Sequence, residues 1–149
     1  MSEESINADD IIETSNHFRC VDLAIESANY KLTESLIKQF HFILKSGTSD
    51  SRKPWFKIGE YKMIDNEVGG MDTCSLAEFD YKMIGLLKNY NMKTNVTIDD
   101  IIEFHYEFEK IHPFQDRNGR VVRLIMLKEC LKHNIVPVII NNQIINVQG

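Results

Sequence analysis

The residue pattern predicts a mainly α-helical domain, an orthogonal or bundle-like packing of five or six helices with a small β-hairpin. Apolar residues recur at helical spacing through most of the 149-residue chain, and capping and stop signals bracket these stretches. Strand-like runs are short and confined to the middle of the chain and to residues 135–140.

The first helical pattern runs from about Ile11 to Ile25. Thr33 then offers an N-cap with Glu34 in the first turn, and Leu36, Ile37, Phe40, Ile43 and Leu44 mark a buried face that Ser46-Gly47 terminates. Residues 48–74 change character, because Pro54, Gly59, Asn66, Gly69 and Gly70 interrupt short runs such as WFKIGEY and MIDNEV. They predict an exposed loop or small hairpin lying over the core. Ser75 and Glu78 read as a capping box ahead of Phe79, Met83, Leu86, Leu87 and Tyr90. Thr97 and Asp100 repeat the device ahead of Ile101, Phe104, Phe108 and Ile111. Pro113 stops that helix at His112, and Val121, Leu124, Ile125, Leu127 and Leu131 mark the next, which Asn134 and Pro137 end. The chain reads as one domain over 1–149, with an N-terminal helical segment over about 1–31 and a core over about 32–140.

Composition narrows the function classes. With 43% hydrophobic and 26% charged residues the chain reads as globular, and it contains no apolar run long enough for a membrane span. Its acidic start, MSEESINADD, is unlike a signal peptide, so the expected location is the cytoplasm. Net charge is -5 with no Lys/Arg cluster, which argues against nucleic acid and anionic lipid as partners. Cys20, Cys74 and Cys130 stand singly and read as buried reduced thiols. His17 and His41 read as structural, since neither has a second ligand at metal spacing.

The chemistry is concentrated in HPFQDRNGRVVR, residues 112–123. The helix that begins near Asn118-Gly119 points its unbonded N–H groups and positive dipole end at the loop, a ready anion site. Gly119 permits close backbone approach, and Arg120 and Arg123, three apart, present two guanidinium forks. Asp116 is a hard oxygen ligand suited to Mg²⁺ beside phosphates. His112 suits proton abstraction from an attacking hydroxyl, because histidine as a residue type titrates near neutrality, at about 6.5. Phe114 is expected to plug into the core and fix the loop. The set spells phosphoryl or nucleotidyl transfer.

This run resembles the signature of the Fic family, HPFx(D/E)GNGRxxR, at every specified place but one. IEFHYEFEKIHPF and RLIMLKECL are similar to the family's helices entering and leaving the loop, and the likeness extends over most of residues 32–140. The resemblance implies transfer of AMP from ATP to a hydroxyl of a target protein, or of the protein itself, with release of pyrophosphate. By position, it makes His112 the base and Asp116 the ligand of Mg²⁺ (or Mn²⁺). Asn118, Gly119 and Arg120 become part of the phosphate cradle, and Arg123 reaches the terminal phosphate. Asn66, Glu67, Val68, Gly69 and Gly70 match a β-hairpin flap that docks the target by strand addition. The related Doc toxins, which phosphorylate, carry Lys where Gly119 stands, so Gly119 favours AMP transfer.

Three departures from the pattern accompany the match. Arg117 replaces a glycine of the phosphate nest: it either strains the loop, if held at positive φ, or adds a charge to the nucleotide site. Many relatives carry an inhibitory [S/T]xxxE[G/N] helix whose Glu pairs with the arginine equivalent to Arg123. The nearest segment here, around Glu13, reads more simply as a solvated carboxylate on the first helix. The chain also ends in NNQIINVQG where the family's core adds another helix. The alternatives to an AMP transferase are a catalytically impaired nucleotide-binding or protein-interaction module and a phosphotransferase using the same cradle. The oligomeric state is open, a homo-oligomer included.

Overall fold

A computed structural model describes residues 3–62, 74–140 and 143–146. Five α-helices follow in order: α1 (Glu3–Glu26), α2 (Glu34–Lys45), α3 (Cys74–Asn91), α4 (Ile98–Ile111) and α5 (Asn118–Lys132). One 3-10 turn, Asp50–Arg52, follows α2. The mainly helical architecture is the expected one, and the core lies where Phe40, Leu44, Phe108, Phe114, Val121 and Ile125 meet.

The predicted punctuation forms as real hydrogen bonds. Thr33 Oγ1 accepts from Leu36 N at the start of α2, and Gly47, at φ 79°, turns the chain away after its end. Thr97 and Asp100 form a reciprocal capping box on α4. Ser75 and Glu78 lie within α3, which is described from Cys74, and the flap at residues 66–70 lies outside the described residues. Within the preceding loop, Phe56 and Tyr61 turn inward and are buried. The hairpin that is described lies near the C-terminus, where β1 (Pro137–Ile140) pairs antiparallel with β2 (Gln143–Asn146), Val138 opposite Ile145. The first strand matches the β-branched run; the second was not anticipated.

The first helix starts earlier than its apolar pattern implies and orients differently. Its buried face carries Glu13, Asn16, Cys20 and Ala24, while Ile11, Phe18 and Ile25 face solvent. Polar contacts explain that choice. Asn16 Nδ2 donates to the carbonyls of Leu44 (3.0 Å) and Ser46 (2.8 Å), satisfying acceptors that the end of α2 leaves open. At the far end, buried Lys128 of α5 donates to the carbonyls of Ala28 and Tyr30 and pairs with Glu129 at 2.6 Å. Helix α1 is thereby pinned against both α2 and α5. Cys20 and Cys130 are buried as expected, with burial pushing each thiol up to about 11.

Candidate active site

The loop between α4 and α5 is shaped by two left-handed residues and one side-chain clamp. His112 caps α4 at φ 55°, ψ 58°, its N–H held by the Phe108 carbonyl at 2.8 Å. The residue before a proline disfavours the right-handed helical region, and histidine tolerates the left-handed one better than most. The imidazole stands exposed and makes no hydrogen bond among the described residues. Pro113 O accepts from Lys62 N at 2.8 Å, which ties the loop to the 48–62 segment.

Asn118 closes the loop on itself. Its Oδ1 accepts from Phe114 N at 2.8 Å and its Nδ2 donates to Phe114 O at 2.9 Å, with the side chain buried. Both amide groups are therefore committed, and any share of Asn118 in an anion cradle is through its backbone. The first helical bond of α5 runs from Val121 N to Arg117 O at 3.0 Å. The N–H groups of Asn118, Gly119 and Arg120 consequently have no partner within the helix, which is the anion-binding arrangement of a helix start. Phe114 is fully buried, as expected, and stacks on the His41 ring at 4.3 Å and 3°.

Asp116 lies in a charged cluster that sequence patterns alone did not reveal. Its Oδ2 is 3.0 Å from Lys45 Nζ, and its Oδ1 is 3.4 Å from His41 Nε2. Gly59 N donates to His41 Nδ1 at 2.8 Å, which leaves Nε2 as the nitrogen bearing hydrogen toward Asp116. Lys45 is buried and also pairs with Glu13 at 2.9 Å and Asp50 at 3.3 Å. Burial alone would raise the Asp116 carboxyl, but the His41 and Lys45 contacts outweigh it and hold it below the ordinary carboxylate value. Burial likewise opposes the Lys45 ammonium, and Glu13 and Asp116 together hold it above the usual lysine range.

Glu13 corrects an expectation. It is buried rather than solvated, and its carboxylate takes Arg117 Nε at 2.7 Å and Nη2 at 3.3 Å as well as Lys45. Its arginine partner is Arg117, not Arg123. Despite burial, these bonds keep Glu13 below the ordinary value. Arg117 adopts φ 61°, ψ 23° at the N-cap of α5, so the positive φ considered from sequence is present, and its guanidinium is engaged by Glu13.

Arg120 and Arg123 share one cavity of about 310 Å³ with Thr14 and His17 of α1. Neither guanidinium makes an ion pair or hydrogen bond among the described residues. A Cβ on Gly119 would lie 3.2 Å from Arg123 Nη1 and 3.6 Å from Glu109 Oε2, so a longer side chain there would crowd that guanidinium. The loop thus presents three neighbouring parts: exposed His112, the Asp116 cluster and the arginine cavity. Lys45 and His41 were missed as contributors. The available signal was a His-x-x-x-Lys pair one turn apart on the apolar stripe that Ile37, Phe40 and Leu44 define, where a buried lysine requires partners.

The donor set permits a divalent cation. Among the described residues no group of three or more His, Cys, Asp or Glu side chains is gathered as a metal site. Mg²⁺ commonly takes one carboxylate and completes its shell with phosphate oxygens and water, and each Asp116 oxygen keeps acceptor capacity beyond its single neighbouring donor. Asp116 fits that role.

Comparisons with known proteins agree with this fold. The model of the Fic/DOC family matches residues 31–130. Among solved structures, the fold is similar to that of a Fic-domain-containing signaling protein from Bacteroides thetaiotaomicron VPI-5482, with a TM-score of 0.70 and 27% sequence identity. That match covers 89% of this chain and 52% of the other, so this chain spans about half the length of that relative. No curated protein matches the chain. No helix among the described residues is long and apolar enough to cross a membrane.

Proposed function

The chain belongs to the Fic/DOC family, and on that premise we propose that it is a protein adenylyltransferase. It would move AMP from ATP to a hydroxyl side chain of a target protein or of itself, in the cytoplasm, releasing pyrophosphate. The observation that carries the reading is the joint between α4 and α5. An exposed histidine, a depressed carboxylate, three unbonded helix-start N–H groups and two uncommitted guanidinium groups lie within residues 112–123.

His112 takes the hydroxyl proton as the oxygen bonds to the α-phosphorus and the bond to pyrophosphate breaks. The N–H groups of Asn118, Gly119 and Arg120 receive developing negative charge, and they need no rearrangement because the Asn118 clamp sets the loop beforehand. Arg120 and Arg123 hold the phosphates beyond the scissile bond. Asp116 would hold Mg²⁺ or Mn²⁺, which when bound neutralises phosphate charge and polarises the reacting group. Residues 66–70 are proposed to dock the target strand. Gly119 brings no ammonium to the loop, which supports AMP transfer over the phosphate transfer of the lysine-bearing Doc relatives.

A second reading is favoured by one observation, the Glu13–Arg117 pair. Glu13 lies on α1 and restrains the phosphate loop through Arg117, so that the chain is a transferase held back by its own first helix. Intact mass spectrometry after incubation with ATP and Mg²⁺, alone and with cell lysate, tests the proposal. Gain of one AMP group on protein supports it, and gain of one phosphate group overturns it.

A further inference from the structure

The cavity between α1 and α5 contains an unusual combination. Arg120 and Arg123 bring two positive charges with no ion-pair partner among the described residues, and Thr14 and His17 close the opposite wall. The Nδ1 atom of His17 is buried without a hydrogen-bond partner, and it is the only such side-chain atom among the described residues. Two guanidinium groups beside one cavity repel each other and any further cation there, and an anion in the cavity offsets that repulsion. A tetrahedral oxyanion has oxygens enough for both guanidinium groups and for the imidazole that lines the same cavity.

We infer that His17 is a third ligand, gated by protonation, for the phosphate oxyanion that Arg120 and Arg123 hold, so that the anion binds together with a proton. This rests on the ATP reading, in which the oxyanion is a phosphate of the nucleotide beyond the transferred group. It adds to that reading a contact from α1 and a pH dependence of binding.

The electrostatics agree in sign. With the cavity empty, burial and then the charges of Arg120 and Arg123 push the His17 imidazole below its ordinary value. From α5 the charged groups facing it are those two arginines. On its own helix, Glu13 lies one turn earlier and is committed to Arg117 and Lys45. An anion placed between the guanidinium groups cancels their repulsion of an imidazolium, and the protonated ring that lines the cavity then pairs with it. Affinity therefore rises as pH falls from the bound-state pKa of His17 toward its free-state pKa, by at most about tenfold per pH unit, and levels off below.

Sulfate is the probe, because its charge does not change between pH 6 and pH 8 and any proton taken up belongs to the protein. The full chain is titrated calorimetrically with sulfate at pH 6, 7 and 8, in two buffers of different ionisation enthalpy, and the His17 ring resonances are followed by NMR. The expected results are uptake of up to one proton per sulfate, affinity at pH 6 several-fold above that at pH 8, and an upward shift of the His17 titration on adding sulfate. His17→Gln is expected to keep weak binding but lose the pH dependence, whereas Arg123→Ala weakens binding at every pH. Repeating the series with pyrophosphate and ATP distinguishes a free anion site from a nucleotide subsite. A wild-type pH profile in His17→Gln, or a His17 titration unmoved by sulfate, overturns the inference; loss of ATP affinity in Arg123→Ala would then leave the nucleotide reading standing. Absence of any effect of Arg123→Ala on sulfate or ATP overturns both.

Discussion

Arg117 Nε donates to Glu13 Oε1 at 2.7 Å, joining the middle of α1 to the N-cap of α5 across 104 positions of sequence. Two opposing effects meet at Arg117. Its left-handed backbone costs about 1 to 2 kcal/mol, and its bond to a buried carboxylate returns roughly 1.5 to 3 kcal/mol, less because the guanidinium is 40% exposed. Arg117→Gly removes both and should stay within about 1 kcal/mol of wild type. Arg117→Ala loses the ion pair and keeps the strain, so it should be less stable than the Gly variant by about 1 kcal/mol. Urea denaturation of the three proteins checks the order.

Glu13→Gln should destabilise the fold by about 1 to 3 kcal/mol, because buried Lys45 and Arg117 lose a shared charged acceptor while Asp50 and Asp116 remain for Lys45. If Glu13 restrains the phosphate loop, the same variant should raise the initial transfer rate several-fold at temperatures where it stays folded. Initial rates beside wild type check it; an unchanged rate removes the restraint reading and leaves Glu13 a structural partner.

These two residues also show where sequence reasoning reaches its limit. The helices, their caps and the loop were legible because each rests on local spacing: Thr33 and Thr97 cap three residues ahead, and Pro113 stops α4. The motif was legible because its parts are contiguous. The charged cluster was not, since Glu13, Lys45 and Asp116 come from three distant stretches, and nothing local says that a carboxylate at position 13 will be buried. Helix α1 misled for a related reason. Its apolar residues at 11, 18 and 25 suggest an inward face, yet the hydrogen bonds of Asn16 and Glu13 turn that face to solvent.

Asn118→Ala should be costly for the fold and for the site together. It leaves Phe114 N without its acceptor in a buried position and the Phe114 carbonyl without its donor, a loss of about 2 to 4 kcal/mol at about 1 to 2 for each group. Asn118→Asp retains the acceptor and should recover part of that loss. Thermal unfolding of both variants tests the clamp.

Acid should loosen the α1–α5 contact before neutral conditions do. Glu13, Asp50 and Asp116 all hold their carboxyl groups below the ordinary values in the folded chain. Groups depressed on folding contribute stability that is complete above their unfolded pKa values, about 3.9 to 4.3, and is lost as pH falls through the folded ones. Stability should therefore fall as pH drops below about 5, and Glu13→Gln should flatten that fall. Denaturant midpoints between pH 7 and pH 3 measure both slopes.

The most direct test of the central claim follows label from ATP. The protein is incubated with Mg²⁺ and ATP labelled at either the α- or the γ-phosphate, with and without cell lysate, beside His112→Ala. Because His112 is exposed and makes no hydrogen bond among the described residues, that variant should stay folded and bind ATP while transfer falls by about 10² to 10⁴. The account predicts protein-bound label from the α-phosphate alone, dependent on His112; protein-bound label from the γ-phosphate alone, or α-label undiminished in His112→Ala, would contradict it.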